Sequence, residues 1–209
     1  MKVINTKTLN MSRLTIIVAA TKSNGIGQGS KLPWRLPKEM KYFAQVTTQA
    51  PVGHKNLVLM GRTTWESIPP KFRPLPNRLN VVISRNKQYQ LGPQNDASQS
   101  IILADSLDSS FVAAEAANRI FIIGGASLYR ESLLLPTSGG SPFVDRILLT
   151  RIVEPDFQCD VFMPDFNAKD EWLKSTHNEL QDWVGFTVPE GIQEENGVKY
   201  EFQMWTRKA

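Results

Sequence analysis

Apolar residues in this chain come in short runs separated by polar and turn-forming ones. "LTIIVAA" (14–20), "NLVLM" (56–60), "LNVVIS" (79–84), "IFIIGG" (120–125) and "VDRILLTRIV" (144–153) are rich in Val, Ile and Leu. Each is bounded by Gly, Pro, Asn or polar residues, which predicts strands buried on both faces. Helical spacing lies between them, over 36–48, 63–68, 107–117 and 126–134. Strand and helix in alternation predict a central, mostly parallel sheet flanked by helices. Near the end, "QEENGVKYEFQMW" (193–205) carries an Asn-Gly turn before alternating Val198, Tyr200, Phe202 and Met204. That pattern predicts an antiparallel C-terminal hairpin. The polar stretch from Asn86 to Ser100 reads as a surface loop.

Composition narrows this picture only a little. At 209 residues the chain suits one domain, read as 13–209 behind an N-terminal extension, 1–12. "LTIIVAA" follows Lys2, Lys7 and Arg13 as the core of a secretory leader would, but it is at the short end for one and reads as a core strand. No run approaches the ~20 apolar residues of a membrane helix. Cys159 is the only cysteine, so no intrachain disulfide can form, and a reducing, cytoplasmic compartment is expected.

Charge changes the picture more. The net value is +4, yet Lys22 to Lys87 holds 12 Lys+Arg against only Glu39 and Glu66, and Gln88 onward holds 9 against 18 acids. A one-sided block of this kind concentrates an anionic ligand, or is a solvated face paired with the acidic half. Its basic residues are dispersed and no nucleic-acid motif accompanies them, which argues against a nucleic-acid partner.

Two strand-to-helix junctions suit a phosphate. "NLVLMGRTTW" places Gly61 before Arg62, Thr63 and Thr64, and "IFIIGGASLY" places Gly124 and Gly125 before Ala126, Ser127, Leu128 and Tyr129. Free N–H groups at a helix start, beside hydroxyls and a glycine without a side chain, can cradle an anion. Another strand ends in Ser84 and Arg85 with no acid near in sequence. Basic and hydroxyl residues there favour NADP over NAD if a dinucleotide binds. The glycines of "GIGQGSKLPW" (25–34) are spaced differently, and Pro33 and Pro37 keep a helix from starting directly after them. They read as a mobile lid.

One acid stands out. On a helix from about Leu36, Glu39 falls between Phe43 and Val46 in an apolar arc that also takes in Leu36, Met40 and Ala44. A carboxylate placed there either bonds a local donor or anchors a ligand through its N–H groups. The proline-stiffened "KFRPLPNRLN" adds Arg73 and Arg78, whose forked guanidinium groups suit a ligand carboxylate or an internal salt bridge.

Taken in order, "GIG", "LPW", Glu39, "MGRTTWESIP", "RPLPNR", "SRN", "GGASLY" and "YEFQMW" resemble dihydrofolate reductases, of the eukaryotic and fungal kind. The resemblance implies a mixed eight-stranded sheet and reduction of 7,8-dihydrofolate to tetrahydrofolate with NADPH, by a cytoplasmic monomer that antifolates inhibit. It implies catalytic roles for Glu39, Trp34 and Thr150. Ile17, Val18, Met40, Phe43, Ile68, Phe72, Leu75, Ile123 and Tyr129 match the substrate pocket, and Arg78 the arginine for the glutamyl carboxylate. Cofactor contacts are implied for Ala19, Ile26, Gly27, Gly61, Arg62, Thr63, Thr64, Ser84, Arg85, Gly124, Gly125, Ala126, Ser127, Leu128 and Tyr129, with a cis peptide between the paired glycines. No metal is expected. The other readings are a different NADPH reductase on the same framework, such as a pyrimidine reductase, and a nucleic-acid-binding module.

Overall fold

A computed structural model describes residues 13–92, 101–138 and 140–208 of the chain. The elements run β1 (Arg13–Thr21), β2 (Gly25–Gly27), α1 (Pro37–Thr48), β3 (Lys55–Gly61), α2 (Arg62–Ser67), β4 (Arg78–Ile83), β5 (Ile101–Ala104), α3 (Leu107–Ser110), β6 (Ala117–Ile122), α4 (Ala126–Leu133), β7 (Phe143–Glu154), β8 (Val161–Phe162), β9 (Trp172–Lys174), α5 (His177–Val184), β10 (Gln193–Glu195) and β11 (Val198–Arg207). Eight strands lie side by side in the order β10-β11-β7-β1-β6-β3-β4-β5, and β9 pairs with the far end of β11. From β7 to β5 every pairing is parallel, while β11 runs antiparallel to its three partners. The sheet is therefore mixed and mostly parallel, with its antiparallel part at the C-terminal hairpin. That hairpin turns at Asn196 and Gly197, both with positive φ (52° and 73°), as the Asn-Gly pair predicts.

Both faces of the sheet are covered. Along β1, Leu14, Ile16, Val18 and Ala20 enter one core layer with Leu107, Leu128 and Trp172. Ile17 enters the other layer, which Tyr42, Val46, Trp65, Leu180 and Val184 complete. The period-2 alternation of β1 thus feeds two apolar layers, which explains its continuous hydrophobic run.

Several predicted elements shift. The segment 107–117 is one α-helical turn and then a 3-10 stretch, Phe111–Ala116, and Ala117 already belongs to β6. The sheet takes these residues because β6 must run beside both β1 and β3, with Ile120 level with Leu14 and Leu57. The 120–125 strand ends at Ile122, so Ile123 to Gly125 form the junction itself. The opening glycines are not a free loop throughout. Gly25 and Gly27 pair with β8, and the Gly29 N–H donates to Asp160 Oδ2 at 2.8 Å. The expected loop 86–100 is described only to Gly92.

Helix α1 carries Glu39, and two sets of bonds seat it. Pro37 opens the helix and its N-cap, Leu36, offers no side-chain acceptor. Glu195 of β10 supplies one, taking the Lys38 N–H at 2.9 and 3.2 Å, while Asn196 Nδ2 donates to the Arg35 carbonyl. At the other end Asn56, fully buried in β3, donates to the carbonyls of Thr47 and Gln49 and accepts from Asn118 Nδ2 and the Arg119 N–H. Asn56→Ala leaves buried backbone groups unpaired, so it should destabilise the fold by roughly 2–4 kcal/mol. Urea unfolding checks this, and a midpoint equal to wild type would show that the carbonyls find other partners.

Candidate active site

A cleft of 2110 Å³ crosses the carboxyl edge of the sheet. The ends of β6, β3, β4 and β5 follow one another along it, presenting Gly124 and Gly125, then Gly61 and Arg62, then Ser84 and Arg85, then Asp105 and Ser106. At one strand spacing each, these four ends span about 14 Å. The other arm of the cleft lies over β1 and α1, where Ile17, Val18, Ala19, Glu39, Met40 and Phe43 line it with Ile68, Phe72, Leu75 and Arg78. Ile26 and Gly27 of β2, Ile123, Thr63, Thr64, Ala126, Ser127, Leu128 and Tyr129 line it as well.

At the junction of the arms the backbone is tight. The Gly124–Gly125 peptide is cis. Gly124 has φ +117°, and a Cβ there would sit 3.2 Å from the Tyr129 hydroxyl and 3.4 Å from Thr64 Oγ1. The Gly124 carbonyl accepts the Gly61 N–H at 2.8 Å, joining the two glycine junctions. No side chain caps α4, which starts at this turn, and Tyr129 donates its buried hydroxyl to the Ile17 carbonyl at 3.2 Å.

Glu39 lies at the floor of the other arm and is only 6% exposed. Its Oε1 accepts the Thr150 hydroxyl at 3.2 Å, and no cation among the described residues pairs with it. Burial pushes its pKa up to about 7. The Thr150 bond opposes that shift and the Glu195 charge adds to it. The buried face of α1 is centred differently from the predicted arc. It comprises Glu39, Tyr42, Val46 and Thr47, while Met40 is 47% exposed at the rim. The displacement has a physical cause, since the Met40 edge faces the open cleft rather than the sheet.

The two arginines separate. Arg78 is buried, with Nη1 on Thr47 Oγ1 at 2.6 Å, Nε on the Pro76 carbonyl at 3.0 Å and its guanidinium 5.9 Å from the Phe43 ring. Desolvation lowers its pKa to about 10, and none of the ion pairs among the described residues includes it. Arg73 instead donates to the Trp65 carbonyl at 2.9 Å and stacks over the Trp65 ring. It is committed to the protein. Trp34 does not line the main cleft. It is buried against Phe157 and walls a separate 240 Å³ pocket that reaches Glu39 from the side, and its Nε1 has no partner among the described residues.

Two acids escaped the sequence reading. Glu195 sits 157 positions from the Lys38 amide it caps, and no local pattern links them. Asp105 follows β5, a strand hidden in "IILADS", and β5 lies beside β4 with Ala104 level with Ile83. An acid therefore does stand next to Ser84 and Arg85, contrary to the expectation from the linear sequence. Its signal was the short apolar run followed by the Ser106–Ser109 capping box.

The family model for dihydrofolate reductase matches residues 13–207. Dihydrofolate reductase of Cryptococcus neoformans is 44% identical, over 92% of this chain and 93% of that protein. The Pneumocystis carinii enzyme is 45% identical, over 93% and 96% respectively. The solved structure of Schistosoma mansoni dihydrofolate reductase aligns with a TM-score of 0.73 at 32% identity, covering 94% of this chain and 99% of that one. Agreement along the whole matched length, in sequence and in architecture, shows that the chain belongs to the dihydrofolate reductase family.

Proposed function

We propose that the chain reduces 7,8-dihydrofolate to tetrahydrofolate with NADPH. The observation that carries this reading is Glu39, a lone carboxylate on the floor of an apolar arm beside an arm whose glycine junctions, hydroxyls and guanidinium groups suit phosphates. Family membership supports the same reaction.

The residues present fit a phosphorylated dinucleotide. The paired glycines bring the backbone tight against Thr64 and Tyr129 where a Cβ would press on them, α4 starts uncapped beside them, and Arg62, Ser84 and Arg85 stand at the next strand ends. When bound, the cofactor supplies the hydride. The chain's own task is orientation, exclusion of water and proton supply. Ile17, Val18, Phe43 and Ile123 give the apolar walls. Arg78, preorganised by Thr47 and Pro76, offers a cation for a glutamyl carboxylate.

Glu39 supports the proton. Its Oε1 is fixed by Thr150, while Oε2 has no protein partner among the described residues. With a pKa of about 7, both forms are populated near neutrality. The ionised form accepts the pterin's amino and ring N–H groups, and the protonated form holds a proton within the dry site.

Glu39→Gln keeps the shape and removes the charge and proton. Single-turnover hydride transfer at pH 7 should fall roughly 10²–10⁴-fold, with a smaller loss at low pH where the substrate arrives protonated. A rate near wild type would reduce Glu39 to a structural acid. Stability should move the opposite way. A pKa raised from 4.5 to about 7 means that the folded free enzyme binds more protons than the unfolded chain in that window, so stability falls as pH rises through it. The full shift amounts to about 3 kcal/mol, so Glu39→Gln should melt above wild type at pH 8 and alongside it near pH 4. Thermal melts across pH test this, and parallel curves would refute it.

Arg78→Leu should raise the KM for dihydrofolate while sparing a pterin that lacks the glutamate, by roughly 1.5–3 kcal/mol for a lost charged bond. Equal losses for both substrates would assign Arg78 to the Thr47–Pro76 framework alone.

A further inference from the structure

Asp105 stands where a dinucleotide that carries an extra phosphate should not tolerate it. Strands β4 and β5 are parallel neighbours, and the Ser84 N–H donates to the Ala104 carbonyl at 2.9 Å. The residue after each strand end, Ser84 on one and Asp105 on the other, thus lies about one strand spacing, ~5 Å, from its counterpart. Both line the same cleft, together with Arg85 and Ser106. A carboxylate this close to Ser84 and Arg85 repels a phosphate held there.

The carboxylate is ionised at neutral pH and its two oxygens are already engaged. Lys87 Nζ lies 2.9 Å from Oδ2, and Ser109 and Ser106 donate to Oδ1 at 2.9 and 3.3 Å. Lys87, then Ser109, hold its pKa down to about 2. The lysine reaches in from just beyond Arg85 and does not itself line the cleft. Among the described residues it is the one cation in ion-pair contact with Asp105. Three things therefore coincide: an acid beside Ser84 and Arg85, a lysine that offsets its charge, and two serines that donate to it.

We infer that the Lys87–Asp105 pair sets the cofactor preference of the enzyme: Lys87 is a positioning residue that acts through Asp105, cancelling a charge that otherwise excludes a ribose 2′-phosphate. The inference rests on the NADPH reading above and adds to it. Ser84 and Arg85 attract the phosphate, and the ion pair removes the one nearby repulsion.

A double-mutant cycle tests it, with dissociation constants for NADPH and for NADH read from quenching of protein fluorescence. Lys87→Ala should weaken NADPH roughly 3- to 10-fold and change NADH by less than about twofold. Asp105→Asn should bind NADPH at least as tightly as wild type, and in its background Lys87→Ala should lose its effect. If the lysine substitution weakens NADPH equally with and without Asp105, Lys87 acts on the phosphate directly and the inference falls. If both cofactors weaken alike, the pair is structural and the inference also falls. Should Lys87→Ala lower the melting temperature, Lys87→Gln takes its place in the cycle. Wild-type protein with equal affinity for NADPH and NADH would overturn the NADPH reading as well, which separates the two failures.

Discussion

The burial of one unpaired carboxylate governs this structure. Among the described residues Glu39 has a single partner, the Thr150 hydroxyl, and it sits in an apolar floor that raises its proton affinity. Water would relieve that arrangement at once, so the elements around it must hold the helix against the sheet. Thr150 comes from the middle of β7, the strand that joins the parallel part of the sheet to the antiparallel hairpin. Glu195 closes the start of the helix and Asn56 its end. Thr150 and Asn56 are polar and buried where a hydrophobic residue would pack more simply. They fix the position of the helix as well as adding cohesion.

The cleft divides its work by charge. One arm is apolar with an acid at its floor and a preorganised arginine, Arg78, at its edge. The other crosses four strand ends that offer backbone amides, hydroxyls and guanidinium groups. The uneven charge of the sequence serves both arms, because Arg62 and Arg85 of the second and Arg78 of the first all come from the basic half. Arg73 shows that membership of the basic block does not decide a role. Its guanidinium is spent on the Trp65 carbonyl and ring.

Much of this was legible beforehand. Runs buried on both faces announced the central strands, and the Asn-Gly turn announced the hairpin. Glu39 could be placed in an apolar arc because helix geometry is local. The limits were also local. Helical spacing in 107–117 yielded to the demand that β6 lie between β1 and β3. Met40 seemed apolar by its angle, but the direction of the open cleft is a property of the assembled sheet. Asp105 was missed for the same reason. Twenty positions separate it from Arg85, and only strand order makes them neighbours.

The cap of α1 has a consequence for the order of synthesis. The amide of Lys38 and the carboxylate of Glu195 are 157 positions apart, so the helix that bears the buried acid leaves the ribosome long before its acceptor exists. Until the last hairpin arrives, the first turn has only solvent to bond and β7 lacks its antiparallel neighbour. The acid-bearing floor is thus among the last parts of the molecule to close. A nascent chain ending short of residue 193 can fold much of the parallel sheet and still hold no finished pocket.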